Sequence, residues 1–205
     1  ERRQFFLENA DLFANFGYDE IRPFFSRRIG LGVPIIGGAR VSGNLNRNLR
    51  LGLMDMQTDK MDETGLPSQN FAVLSLQQKV FSRSNIGLMF VNKESLDYNS
   101  LTDSLQTQYT KFNRNLGLEY NLASADNQYN GKVFMLKSFG PDSTYNGFAQ
   151  GAHLEYSSRK WNWRVQQEYI SEDFTSEVGF VPRNNYIKLF NSGFQKRNIT
   201  SKFID

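Results

Sequence analysis

Apolar and polar residues alternate with a period of two along most of this chain, and a helix-built fold cannot use that period. Successive side chains of a strand point to opposite faces, so such runs read as strands with one greasy and one polar side. The run 112–122 is the clearest. Phe112, Leu116, Leu118, Tyr120 and Leu122 share one face, and Asn113, Asn115, Gly117, Glu119 and Asn121 share the other. In 148–157, Phe148, Ala152, Leu154 and Tyr156 oppose Gly151, His153, Glu155 and Ser157. In 161–169, Trp161, Trp163, Val165 and Tyr169 oppose Asn162, Arg164, Gln166 and Glu168.

Weaker alternation marks 36–46, 49–58, 70–81, 85–94, 129–139, 185–195 and a last run over 199–205, which makes ten strands. In 49–58 the residues Leu49, Leu51 and Leu53 hold one parity and Met54 and Met56 the other, which a bulge near Met54 would reconcile. Short polar links at 46–48, 82–84, 123–128, 158–160 and 196–198 alternate strictly with longer ones at 59–69, 95–110, 140–147 and 172–184. An up-and-down outer-membrane barrel, with short periplasmic turns and longer extracellular loops, is connected in this way, whereas sandwiches mix in Greek-key crossings. The expected fold is all-β: an antiparallel up-and-down meander, part of a transmembrane outer-membrane β-barrel with about ten strands in this chain. The run 199–205 is shorter than the ~9–11 residues a tilted membrane strand needs. Residues 36–205 therefore read as a segment of a larger barrel, whose seam is supplied by the remaining strands or by a partner chain.

Composition removes other classes. There is no Cys and a single His, so Cys-ligated and multi-His metal sites are excluded, and no cofactor is expected. A net charge of +3 without a Lys/Arg block gives no reason to expect nucleic acid. No run approaches the ~18–20 apolar residues of a membrane helix. A mean hydropathy of −0.54 remains compatible with a barrel, whose wall alternates lipid-facing and lumen-facing residues. Glu1 carries neither an initiator Met nor a signal-peptide pattern, so the chain reads as a mature segment or a piece of a longer one.

The alternation assigns roles by parity. Asn113, Asn115, Glu119, Asn121, His153, Glu155, Arg164, Gln166 and Glu168 are expected to line the lumen, where an Arg at Asn115 would be tolerated. Leu116, Leu118, Tyr120, Leu154, Tyr156, Trp161, Trp163 and Tyr169 are expected to face lipid, with the aromatics forming interfacial girdles rather than a sugar-stacking platform. No catalytic residue is assigned. His153, Glu155 and Ser157 lie on one strand and spread over ~13 Å at ~3.3 Å per residue, so they cannot converge as a triad. The run Asp55, Asp59, Asp62 and Glu63 lacks EF-hand spacing and reads as a solvated loop, so no metal is assigned. Arg27 and Arg28 are expected to pair with lumenal or loop carboxylates.

Residues 1–35 stand outside the meander as a barrel-entry or lumen segment, crossing either as a wall strand, with 22–30 the candidate, or through the interior. Several blocks here resemble one family. Residues 1–13, from Glu1-Arg2-Arg3 through Phe5-Phe6-Leu7-Glu8-Asn9 to Leu12-Phe13, resemble its "(E/K)RxFFLEGAxLF" entry. Phe24-Phe25-Ser26-Arg27-Arg28-Ile29-Gly30 resembles its "FYSRRIG" motif. Pro34-Ile35-Ile36-Gly37-Gly38-Ala39 and Glu177-Val178-Gly179-Phe180-Val181-Pro182-Arg183 resemble two further blocks. The family is the uncharacterised outer-membrane proteins of Bacteroidota-type bacteria in which a family-9-like carbohydrate-binding module precedes a large β-barrel. The resemblance implies a place in the bacterial outer membrane, within the N-terminal part of the barrel, and supplies no reaction. The sugar-binding module would lie before Glu1.

The expected function is a non-enzymatic passage or transport barrel, with glycan-related substrates implied by the family's accompanying module. The alternative is a plugged structural or partner-binding subunit of a larger envelope complex, and an outer-membrane hydrolase is the minor one. The partners expected are outer-membrane lipid, the remaining strands or a partner chain, and a glycan.

Overall fold

The computed structural model describes residues 9–195. Among them nine strands form one sheet: β1 (Ile35–Asn44), β2 (Leu49–Thr58), β3 (Gln69–Val80), β4 (Ser84–Ser95), β5 (Phe112–Ala123), β6 (Tyr129–Phe139), β7 (Phe148–Ser157), β8 (Trp161–Ile170) and β9 (Tyr186–Gln195). Their order in the sheet is their order in the chain, every pairing is antiparallel, and the sheet is not closed. The chain is thus an all-β meander. The run 199–205, read above as a tenth strand, lies outside the described residues.

Local chemistry explains the tight links. Between β1 and β2 the Asn46 Oδ1 accepts from the Asn48 N–H at 2.8 Å and the Leu49 N–H at 2.9 Å, an Asx turn that reverses the chain within the hairpin. Between β5 and β6 Asn127 takes φ 59°, a left-handed conformation that Asn tolerates better than most residues. The longer links carry short pieces of structure. The helix α2 (Asp103–Gln108) between β4 and β5 approaches the β2–β3 link, where the Tyr109 hydroxyl donates to Thr64 O at 3.1 Å. A small helix, α1 (Asp11–Ala14), opens the described chain.

Two expectations are corrected here. The β2–β3 register runs without a break from Leu49↔Gln78 to Thr58↔Gln69, so there is no bulge at Met54. The β1–β2 pairing shifts only between Ile35 and Gly37. Leu49, Leu51 and Leu53 belong to one face of β2 while Met54 and Met56 belong to the other, because both faces of this strand are apolar. Residues 22–30 form no strand. Arg22 makes a single antiparallel bridge to Phe180, and Ser26–Arg28 is a 3₁₀ turn.

The reason β2 is apolar on both sides is that one face of the sheet is covered. Residues 9–34 lie across it, and we call that face inner. Leu12, Phe13, Phe16, Ile21, Phe24 and Ile29 from this segment are buried against Met54, Met56, Phe71, Val73, Met89, Val91, Phe134 and Leu136 from the wall. The β8–β9 link adds Phe174 and Val178 to the same cluster. Burying a large apolar side chain is worth about 1.5–3 kcal/mol, and this contact holds the segment down. The other face is exposed: Leu53, Ile86, Leu116, Leu118, Val133, Met135, Leu154 and Val165 each present more than a third of their surface.

Candidate functional site

The inner face is zoned. Its middle is apolar and sealed, the end toward the long links is sealed but polar, with Lys93, Asn113, Asn115 and Ser138 buried there, and the end toward the short turns is polar and open. Strand parity puts a position on this face, and its zone follows from what residues 9–34 and the β8–β9 link lay over it.

Three glycines let the segment come close. A Cβ at Gly52 would lie 2.5 Å from the Phe13 ring, and one at Gly117 would lie 2.6 Å from both the Phe16 ring and Leu136 Cδ2. One at Gly151 would lie 2.5 Å from the Phe134 ring and 2.6 Å from the Tyr18 ring. The missing side chains are the room that the aromatic rings occupy.

Polar contacts then fix the register of the segment. Ser75 Oγ donates to Leu12 O at 2.6 Å, and the Gly17 N–H donates to Glu119 Oε2 at 3.1 Å. Lys132 Nζ donates to Asn15 O at 2.6 Å and Gly17 O at 3.0 Å, and pairs with Glu119 at 3.2 Å. Both Glu119 and Lys132 are largely buried, so removing one would strand the other's charge, at about 3–5 kcal/mol. The Arg40 guanidinium lies 4.6 Å from the centre of the Phe13 ring. Arg50 grips Asp11 with two hydrogen bonds, of 2.7 and 3.1 Å.

That last pair titrates. The hydrogen bonds from Arg50 hold the Asp11 carboxyl below its ordinary value of 3.8. A carboxyl lowered in the folded state adds stability that is fully present above its unfolded value and fades as pH falls through the lowered one. Protection of the segment around α1 against a protease active in acid should therefore hold at pH 5 and weaken below about 3.8. Asp11→Asn should show weaker protection at pH 5 and a flatter acid dependence. An unchanged profile in that variant would remove Asp11 from the account.

Beside the segment a polar cleft of about 640 Å³ remains. Six of the parity-assigned residues line it: Glu119, Asn121, His153, Arg164, Gln166 and Glu168. His153 Nδ1 shares a 3.2 Å hydrogen bond with the Tyr18 hydroxyl, whose proton is held more tightly than usual by burial and then by the Glu168 carboxylate. Glu155 stands on the same face nearer the turn and accepts from Asn162 at 3.2 Å. Asn113 and Asn115 also point inward but line no open space. Asn113 donates to Thr175 O at 3.1 Å and accepts from the Glu177 N–H at 3.1 Å, and Asn115 donates to Asn113 at 2.9 Å. Asn115 is 1 % exposed, so the expectation that it would accept an Arg is corrected. A charge there would be sealed beneath the β8–β9 link.

On the outer face lie Leu116, Leu118 and Leu154, with Tyr120, Tyr156, Trp161 and Trp163 toward the short turns and Tyr169 toward the long links. Tyr156 packs against Tyr129 at 4.9 Å and Trp163 at 6.0 Å, and Tyr169 against Phe148 at 5.1 Å. Asp55 accepts from Asn70 and Asp62 pairs with Lys60, so the acidic run does not gather around one point. Arg28 Nε donates to the Gly179 carbonyl and Arg27 lies over the Phe25 ring, where carboxylates were expected.

Parity alone did not reveal Gln77, Asn85, Lys132 and Lys188, nor residues 14–20 and Arg22 of the segment, Tyr18 among them, which also line the cleft. Asn85, Lys132 and Lys188 lie on strands whose alternation is weak, and Tyr18 comes from a segment with no period at all. No protein family, no curated protein and no solved structure matches the chain.

Proposed function

We propose that this chain is a wall of a bacterial outer-membrane β-barrel, non-enzymatic, whose interior is plugged by its own residues 9–34. The observation that carries the reading is the outer face of the sheet. On β5 its row runs from Phe112 to Leu122, about 33 Å at ~3.3 Å per residue. Tilted by about 40°, as barrel strands are, the row rises about 25 Å, the height of a barrel's lipid band. Aromatic rings flank it at both ends. Arg114 interrupts the row near the long links, where it lies over the Phe112 ring and bonds Asn92 at 2.9 Å.

Among the described residues no strand pairs with the outer edges of β1 and β9, which fits the same reading. In lipid an unpaired edge leaves N–H and C=O groups unsatisfied, at several kcal/mol each, so further strands or a partner chain pair there. The plugged, structural or partner-binding role is favoured over free passage by the apolar cluster under the segment. Passage of glycan-related solutes, which the family resemblance implies, is supported by the polar cleft. A non-enzymatic role is supported by the contacts of His153, whose Nδ1 meets Tyr18 rather than Ser157 or Glu155.

Sidedness tests the membrane placement. The chain has no native Cys, so labelling gained over the parent protein comes from the introduced probe. With an impermeant maleimide on intact cells, Ser100→Cys in the β4–β5 link should label and Ser158→Cys in the β7–β8 turn should not. Labelling of Ser158→Cys alone would turn the barrel upside down, and equal labelling of both would remove it from the membrane.

A further inference from the structure

We propose that the polar cleft binds a small hydroxylated solute carrying one carboxylate, with Arg164 as the residue that receives the charge. The cations lining the cleft are Arg22, Lys132, Arg164 and Lys188. Lys132 is taken by Glu119 and two carbonyls, Lys188 by Glu20 and Glu168, and Arg22 by Asp19. Arg164 is different. Its Nη2 donates to Gln166 Oε1 at 2.7 Å, its Nε is buried without a partner, and no carboxylate pairs with it among the described residues. Glu155, directly opposite in the register, is engaged by Asn162 instead.

A guanidinium is a planar fork that matches the two oxygens of a carboxylate. The lining sets the rest of the ligand. Against the four cations stand Asp19, Glu20, Glu119 and Glu168, so the cleft has no net charge and offers no net attraction to a polyanion. Gln77, Asn85, Asn121 and Gln166 supply amides that both donate and accept, which suits hydroxyl groups. The volume of about 640 Å³ lies within the ~300–1,000 Å³ of small-molecule sites. These features describe a sugar acid or a similar hydroxy acid. The inference concerns the inner face alone and stands whether or not the outer face meets lipid.

The test is calorimetric titration of the full-length protein in detergent with sodium glucuronate, glucose and sodium sulfate. Glucuronate should bind at least about tenfold more tightly than glucose, and sulfate should not displace it. Arg164→Gln should weaken glucuronate at least about tenfold, while Arg159→Gln in the nearby turn should leave it unchanged. The unmodified protein supplies a second readout, because His153 lines the cleft. Its ring resonances, assigned with His153→Asn, should shift with glucuronate and stay with glucose. Equal binding of glucose, displacement by sulfate, or a silent His153 signal under glucuronate would each overturn the proposal, and none of these outcomes bears on membrane placement.

Discussion

Gly117→Val is expected to displace the N-terminal segment while the wall stays folded. A Cβ at this position already falls 2.6 Å from the Phe16 ring and from Leu136 Cδ2, and valine adds two further methyl groups. Neither neighbour has room to swing, since Phe16 is 5 % exposed and Leu136 fully buried. Overpacking of this kind costs about 1–3 kcal/mol. The strand itself gains from a β-branched residue, which offsets the clash with Leu136 of the wall, and the clash with Phe16 falls on the docked segment. Limited proteolysis should cut within 9–34 in the variant and spare those residues in the parent, with the β signal in circular dichroism unchanged. In planar bilayers the full-length parent should show no steady conductance and the variant should conduct. Equal protection of the segment in both proteins would show that Gly117 is not a socket. Steady conductance from the parent would favour passage over the plug.

Leu118→Arg carries the other large effect. Leu118 is 54 % exposed on the outer face, midway along the apolar row. In water an Arg there would change stability by no more than about 0.5 kcal/mol. Near a bilayer midplane it should cost ~2–4 kcal/mol. Asn121→Arg, on the opposite face at the polar cleft, should fold into vesicles like the parent. Asn115→Arg should fail in lipid and in detergent alike, because it buries an unpaired charge beneath the β8–β9 link. Leu118→Arg folding into vesicles as well as Asn121→Arg would remove lipid from the outer face.

The meander was legible because its causes are local. The run 112–122 shows its parity in its own letters, and the alternation of short and long links follows from hairpin chemistry such as that of Asn46. The interior was not legible in the same way. Met54 and Met56 look like a slip of parity when β2 is read alone, and only the presence of Phe13 and Phe24 above them makes a two-faced apolar strand sensible. Residues 22–30 have a strand-like composition, yet they spend it on packing beneath 172–184. Gly117 and Gly151 sit at polar-parity positions, and nothing in either strand announces the rings that fill them. The cleft was half visible: strong alternation placed Glu119 and Arg164, while Lys132 and Tyr18 depend on partners far away in the chain.

That distance orders the folding of the molecule in time. Each strand of the sheet finds its partner across one turn or loop, so the wall can be laid down one hairpin after another. The segment at 9–34 is made before the wall, but its anchors are made after it. Gly17 bonds a residue 102 positions onward, Tyr18 one 135 onward, and Arg28 one 151 onward. Contacts that close such long stretches of chain form slowly. A segment made before the wall is thus the last to reach its place against it, and until it does, the apolar residues of the inner wall stand open to any other hydrophobic surface nearby.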